Sequence, residues 1–161
     1  MPPTPTQTPS PAEPDNPLSL DLQFCFALYS ASNMVTRLYR PLLGPLGLTY
    51  LQYIALLALW GRSPQSVGDI GRRLRLDSGT LTPLFKRLEA AGLVTRRRDP
   101  ADERRVMIDL TAEGRALRER ALHVPAAVAC QGPLPLEEVV ALKAALERLI
   151  EGLGACPPVA D

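Results

Sequence analysis

Three cysteines, Cys25, Cys130 and Cys156, are the side chains here best suited to covalent chemistry. Their number is odd, their spacing is wide and no C-x-x-C pair occurs, so neither a disulfide framework nor a zinc site is expected. His123 is the single histidine and has no cysteine near it, and we read it as a helix-surface residue. No cofactor is expected. The chemistry left is that of a thiolate, a strong nucleophile. Cys25 lies in Leu22-Gln23-Phe24-Cys25-Phe26-Ala27-Leu28-Tyr29, in the N-terminal part of a helix but beyond its first turn, where the helix dipole is weak. Tyr29, Tyr39, Tyr50 and Tyr53 recur nearby, and a phenol donating to sulfur favours the thiolate. Two roles stay open: a reactive thiol, or a buried structural cysteine, which is a common fate for the residue. Tyr39 follows Cys25 by fourteen residues, about 21 Å along a straight helix, so it cannot reach the thiol of its own chain. It can reach the Cys25 of a second copy whose helix runs antiparallel across a two-fold axis.

The second chemistry is electrostatic. The chain carries a net charge of +1, yet Arg62 to Arg105 holds eleven Lys/Arg against six Asp/Glu. A basic middle on a near-neutral chain is the footprint of a phosphate-binding surface, although a solvated charged face has the same composition. Ser78, Thr80 and Thr82 are short hydroxyl side chains suited to base edges or phosphates. Lys86 and Arg87 follow one turn later. Arg96, Arg97, Arg98, Arg104 and Arg105 come from a second run. Asp102 stands two residues before Arg104 and is expected to hold its guanidinium fork.

The elements that must position these residues can be read from period and punctuation. Residues 1–17 hold seven of the seventeen prolines and are expected to be disordered, and 153–161 are expected to form a flexible tail. Between them the spacing predicts a helix over Leu20–Leu43 capped by Ser19, a second over Tyr50–Trp60 capped by Thr49, and a third over Ser66–Leu74. Asp77-Ser78-Gly79 reads as a turn before a fourth helix, Thr80–Ala91, ended by Gly92. Leu81, Leu84, Phe85 and Leu88 form its core-facing side. Alternation over Leu93–Arg98 and Arg105–Leu110, around the polar residues 99–103, predicts a hairpin. Thr111 caps a helix from Ala112 to about Ala129, broken at Cys130-Gln131-Gly132-Pro133, and Pro135 opens a last helix, Leu136–Glu151. The fold class is therefore mostly α with a small β-hairpin wing (α+β): two short helices joined by a tight turn and followed by a basic hairpin, a winged helix-turn-helix. In such a unit the second helix enters the major groove and the hairpin tip reaches the minor groove.

Leu76-Asp77-Ser78-Gly79-Thr80-Leu81-Thr82-Pro83-Leu84, Arg87-Leu88-Glu89-Ala90-Ala91-Gly92-Leu93-Val94, Asp102-Glu103-Arg104 and Leu110-Thr111-x-x-Gly114 resemble the MarR family over residues 18–152. The resemblance implies dimerisation through N- and C-terminal helices and a pseudo-palindromic double-stranded DNA operator bound by residues of about 62–111. The segment around Cys25, with Tyr39 and Tyr50, is similar to the organic hydroperoxide resistance regulators within that family. That similarity implies a reactive Cys25 held by Tyr39 and Tyr50 of the other subunit, with Cys130 resolving its sulfenic acid as an intersubunit disulfide. It implies a repressor released from DNA by organic hydroperoxide. Cys156 has no counterpart there.

Two other readings compete: a regulator released by a small aromatic acid with Cys25 inert, and a thiol peroxidase, for which a basic hairpin has no use. The chain is therefore expected not to be an enzyme. No apolar run reaches the ~18 residues of a membrane span, and no signal-peptide pattern opens the chain, so a cytoplasmic location and no membrane partner are expected.

Overall fold

In the computed structural model, residues 16–155 are described. A short 3-10 turn, Leu20–Leu22, precedes α1 (Phe24–Leu43), and a second, Gly44–Leu46, follows it. The chain then forms α2 (Tyr50–Gly61), β1 (Gln65–Ser66), α3 (Val67–Leu74), α4 (Ser78–Ala90), β2 (Val94–Asp99), β3 (Asp102–Leu110), α5 (Ala112–Ala121), α6 (Val124–Gln131) and α7 (Leu136–Ala155). The expected class holds: helices plus a small antiparallel sheet of order β1-β3-β2.

The chain divides into two units, one ending at Arg37 and one beginning at Leu38. The division falls inside α1, at the residue whose carbonyl would take the N–H of Pro41; proline has none to give. In the first unit the start of α1 is later than the spacing suggested. Gln23 breaks the helical run with an extended backbone, and its side-chain amide donates back to the carbonyl oxygens of Pro17 (2.8 Å) and Ser19 (3.2 Å). Ser19 makes no side-chain cap.

The second unit holds the core. Its packing centres on Leu56, Leu59, Ile70, Phe85, Leu88 and Ile108, all at most 1 % exposed. Helix starts are set by side-chain caps. Thr49 and Gln52 form a reciprocal box at α2, Ser66 caps α3, Asp77 caps α4 and Thr111 caps α5. Because Asp77 is the cap, Ser78 and Gly79 belong to α4 rather than to a turn before it. Gly92 (φ +71°) supplies the left-handed residue after α4, as expected. The long helix predicted over Ala112–Ala129 is two helices. It breaks at Leu122 and His123, because Pro125 opens α6 at its first turn. His123 is exposed there and its Nδ1–H donates to the Arg120 carbonyl, 2.9 Å. The last helix runs past Glu151 to Ala155.

Two close approaches fix the base of the hairpin. A Cβ on Gly114 would lie 2.0 Å from the Leu93 carbonyl oxygen, so only glycine lets α5 start this near β2. The Gly114 carbonyl in turn accepts the Trp60 indole N–H at 2.8 Å. Thr111 completes the junction, its hydroxyl donating to Gly92 O at 2.6 Å.

Candidate nucleic-acid interface and thiol site

The reading helix is oriented by burial. Leu81, Leu84, Phe85 and Leu88 are 1, 5, 0 and 0 % exposed, the face the sequence assigned to the core. Ser78, Thr82 and Lys86 follow each other at i,i+4 on the other side, and all three are exposed, as is Arg87. Thr80 is half-buried. Its N–H and hydroxyl both donate to Asp77, at 2.8 and 3.0 Å, so it serves the cap of α4 and offers a ligand only lone pairs and a methyl group. These two hydrogen bonds hold the Asp77 carboxyl below the usual carboxylate range. Pro83 sits in the second turn and leaves the carbonyl of exposed Gly79 without its helical donor, where water can take it.

A cleft of about 670 Å³ opens between α3, α4 and the hairpin. Ser78 and Thr82 line it from α4, Arg104 and Arg105 from β3, and Asp69 and Arg72 from α3. The hairpin is tighter than predicted. Asp99 pairs with Asp102, so Pro100 and Ala101 alone turn the chain. Arg104 stands at this tip with 97 % of its side chain exposed. Asp102 does not hold its fork: Oδ1 accepts from the backbone N–H of Arg104 at 3.1 Å, while the guanidinium Nε lies 3.8 Å away, beyond hydrogen-bond range. Asp102 therefore shapes the turn and meets the guanidinium only as an ion pair, without a hydrogen bond.

Arg96 also departs from expectation. It is paired with Ile108, and directly opposed residues share a sheet face, so its side chain points toward the core. Its backbone N–H and Nη1 donate to Glu89 at 3.1 and 3.4 Å, and its Nε is buried without a partner. Arg96 ties the hairpin to α4, and part of its side chain lines the cleft. Sequence reading named Arg105 with the basic hairpin but left Asp69 and Arg72 out of the site. Their signal was the Ser66-x-x-Asp69 cap spacing, which puts a carboxylate beside the hairpin.

The thiol region has a different character. Cys25 is exposed and is the second residue of α1, so it sits in the first turn and not beyond it. Its neighbours Phe24, Phe26 and Leu28 are 63, 39 and 37 % exposed. In the second unit, Tyr39 and Tyr50 pack ring to ring at 4.9 Å, and Tyr53 lies 5.9 Å from Tyr39. Burial, and then the neighbouring Tyr50, raise the Tyr39 pKa, which keeps that phenol protonated and a donor. Cys130 is exposed and is the penultimate residue of α6, inside the helix where a break was expected. Cys156 lies outside the described residues. Among the described residues no group of three or more Cys, His, Asp or Glu could hold a metal ion.

Residues 37–120 match the family model of the transcriptional regulator SarA/Rot. The organic hydroperoxide resistance transcriptional regulator of Bacillus subtilis is 45 % identical over 136 residues, 84 % of this chain and 92 % of that one. The chain belongs to this family of MarR-type winged-helix transcriptional regulators. The regulator is also 52 % identical over 128 residues to the HTH-type transcriptional regulator TtmR of Methylorubrum extorquens, covering 80 % of this chain and 66 % of that one. Among solved structures, reduced AbfR bound to DNA superposes with a TM-score of 0.69 at 39 % identity, covering 83 % of this chain and 94 % of that one. AbfR comes from Staphylococcus epidermidis. Its disulfide form superposes at 0.59 and 39 % identity, covering 81 and 92 %. The regulator is thus a DNA-binding transcription factor and not an enzyme, and α4 with the β2–β3 hairpin is its winged helix.

Proposed function

We propose that this regulator is a homodimeric repressor that leaves a pseudo-palindromic operator when organic hydroperoxide oxidises Cys25. The observation that carries the reading is the setting of that thiol. It is exposed, lies in the first turn of α1, and is surrounded by exposed aromatic and aliphatic side chains that a second copy would cover. The family supports it, since one relative is named for organic hydroperoxide resistance and AbfR has been solved both reduced on DNA and as a disulfide.

In this reading the Cys25 thiolate attacks the terminal oxygen of the hydroperoxide. The O–O bond breaks, the alkoxide leaves and takes a proton to become an alcohol, and Cys25 becomes a sulfenic acid. The hydroxyls of Tyr39 and Tyr50 from the other subunit donate to the thiolate; among the described residues neither hydroxyl has a hydrogen-bond partner within its own chain. The thiol of the partner's Cys130 then attacks the sulfenic sulfur, forming the disulfide and releasing water. A disulfide brings two Cα atoms within about 7 Å. Drawing α1 and α6 together across the dimer changes the spacing of the two reading helices, which must match half-sites about 34 Å apart.

Residues 18–152 form the functional domain in this proposal, with DNA contacts within 62–111: Ser78, Thr82, Lys86, Arg87 and Arg104 outward, Thr80, Arg96 and Asp102 in support. Among the described residues no single helix is long and apolar enough to cross a membrane, and we place the regulator in the cytoplasm. The test is operator release and a non-reducing gel before and after an organic hydroperoxide. Cys25→Ser should bind DNA and stay bound. Cys130→Ser should react once at Cys25, give no dimer band and drift to sulfinic and sulfonic acid. Cys156→Ser should match the parent. Release of Cys25→Ser by peroxide would overturn the sensor role.

A further inference from the structure

The cleft that faces DNA is lined by four arginines and a single acid, Asp69. That acid is not a loose surface group. Its N–H donates to Ser66 Oγ at 3.1 Å, and the Ser66 hydroxyl donates back to Oδ2 at 2.6 Å. Ser66 is buried and paired with Met107 of β3, so the sheet itself sets where the carboxylate stands. Arg72 Nη2 donates to Oδ1, and Arg105 Nη2 to Oδ2 at 3.4 Å. The side chains of Arg72 and Arg105 remain 77 and 50 % exposed, so both keep N–H groups for a phosphate. The carboxylate stays ionised, held down first by the Ser66 hydroxyl and then by the two arginines.

We infer that Asp69 is a specificity-determining residue of the DNA-binding surface: its fixed carboxylate orders Arg72 and Arg105 across the cleft and repels phosphates that arrive out of register. Binding to random DNA comes almost entirely from phosphate neutralisation and counterion release, so a fixed negative charge in the footprint removes about one such neutralisation. On the proper site, base contacts set the register, and the two guanidiniums meet phosphates where Asp69 already holds them. The same carboxylate therefore costs random DNA more than it costs the operator, which is discrimination by repulsion.

The test is Asp69→Asn in the reduced full-length protein. The amide oxygen still accepts from Ser66, so the α3 cap and the fold survive; an unchanged melting curve checks this. Affinity is measured against salt on a duplex selected from a random-sequence pool by the wild-type chain, and on a scrambled duplex of equal length. On scrambled DNA the salt slope should steepen by about 0.9, about an eightfold gain near 0.1 M salt. Affinity for the selected duplex should move less than about twofold, so the ratio of the two collapses. An unchanged slope on scrambled DNA, or equal gains on both duplexes, overturns the proposal. Arg105→Gln keeps it falsifiable should the first variant misfold: it should flatten the slope on the selected duplex by about 0.9, and an unaltered slope would remove Arg105, and with it the role of Asp69, from the interface.

Discussion

The helix that reads DNA and the helix that carries the thiol have opposite fates, although the thiol helix is the more apolar of the two. α4 buries Leu81, Leu84, Phe85 and Leu88 to 5 % exposure or less within one chain. α1 leaves Phe24, Tyr29 and Met34 63, 66 and 69 % exposed and buries no residue before Leu43. α7 resembles α1: Leu136, Val140 and Leu153 are 77, 59 and 62 % exposed, and the helix has no buried residue. A reading helix must hold its orientation whether or not DNA is present, and its own core does that. In the proposed dimer the thiol-bearing helix is stabilised by the copy that covers it, so a change of covering would change the helix. A sensor placed on such an element acts on assembly geometry without disturbing the reader's core.

The largest expected effect breaks the comparison at α1. Leu28→Glu with Val35→Glu puts two charges, a heptad apart, on a face that a second copy would bury, and each appears twice per dimer. The two side chains are 37 and 45 % exposed in one chain, so losing that burial should weaken the dimer by about 2 to 5 kcal/mol, and burying the four carboxylates costs more on top. Sedimentation should show monomers, and operator binding should fail. A variant that still sediments as a dimer would mean that α1 is not the interface. The matching substitution in the reader is Phe85→Ala, which opens a cavity in a side chain that is 0 % exposed. It should cost about 3 to 5 kcal/mol in urea unfolding. The two should separate cleanly: the first depends on protein concentration, the second does not.

That contrast was partly legible in the sequence. The i, i+3, i+4, i+7 spacing of Leu81, Leu84, Phe85 and Leu88 identified the buried face of α4, because a 3.6-residue period leaves few alternatives. The caps at Thr49 and Thr111 and the stop at Gly92 were readable for the same local reason. The break between α5 and α6 was missed although Pro125 marks it, because apolar residues continue on both sides. The two-residue strand β1 was invisible, since its partner β3 lies some forty residues away in sequence. The pairing of Arg96 with Glu89 was not readable for a physical reason: a strand side chain takes its face from the register, and Arg96 opposes Ile108, the buried centre of β3. Exposure on α1 and α7 cannot be read from apolar content at all, because a helix buried in its own core and one buried in a partner have the same pattern.

A smaller effect sharpens the sensor side. Tyr39→Phe and Tyr50→Phe keep the ring pair at 4.9 Å and remove only hydroxyls. Each should leave dimerisation and DNA affinity intact and slow Cys25 oxidation about tenfold, the value of one hydrogen bond to a charged sulfur. Stopped-flow peroxide consumption measures it, with thiol titration of Cys25 as the companion. Equal rates in both variants would place the activating donor elsewhere.

The smallest effect belongs to the wing tip, where the guanidinium of Arg104 and the carboxylate of Asp102 have separable jobs. Asp102 accepts the Arg104 backbone N–H at 3.1 Å and leaves the guanidinium 3.8 Å away. Asp102→Asn keeps an acceptor for that N–H, so the two-residue turn should persist and DNA affinity should stay within about twofold. Arg104→Ala removes a charge whose side chain is 97 % exposed and held by no hydrogen bond from Asp102. If it neutralises one phosphate, the salt slope should fall by about 0.9 on selected and scrambled duplexes alike. If the side chain instead settles in a narrow minor groove, the loss should be larger on the selected duplex, and it should shrink when the groove is widened by G·C substitution at uncontacted positions. Parallel losses on both duplexes would make Arg104 a phosphate contact. An Asp102→Asn loss as large as that of Arg104→Ala would show that the carboxylate holds the guanidinium after all, and would return the wing tip to the arrangement its sequence first suggested.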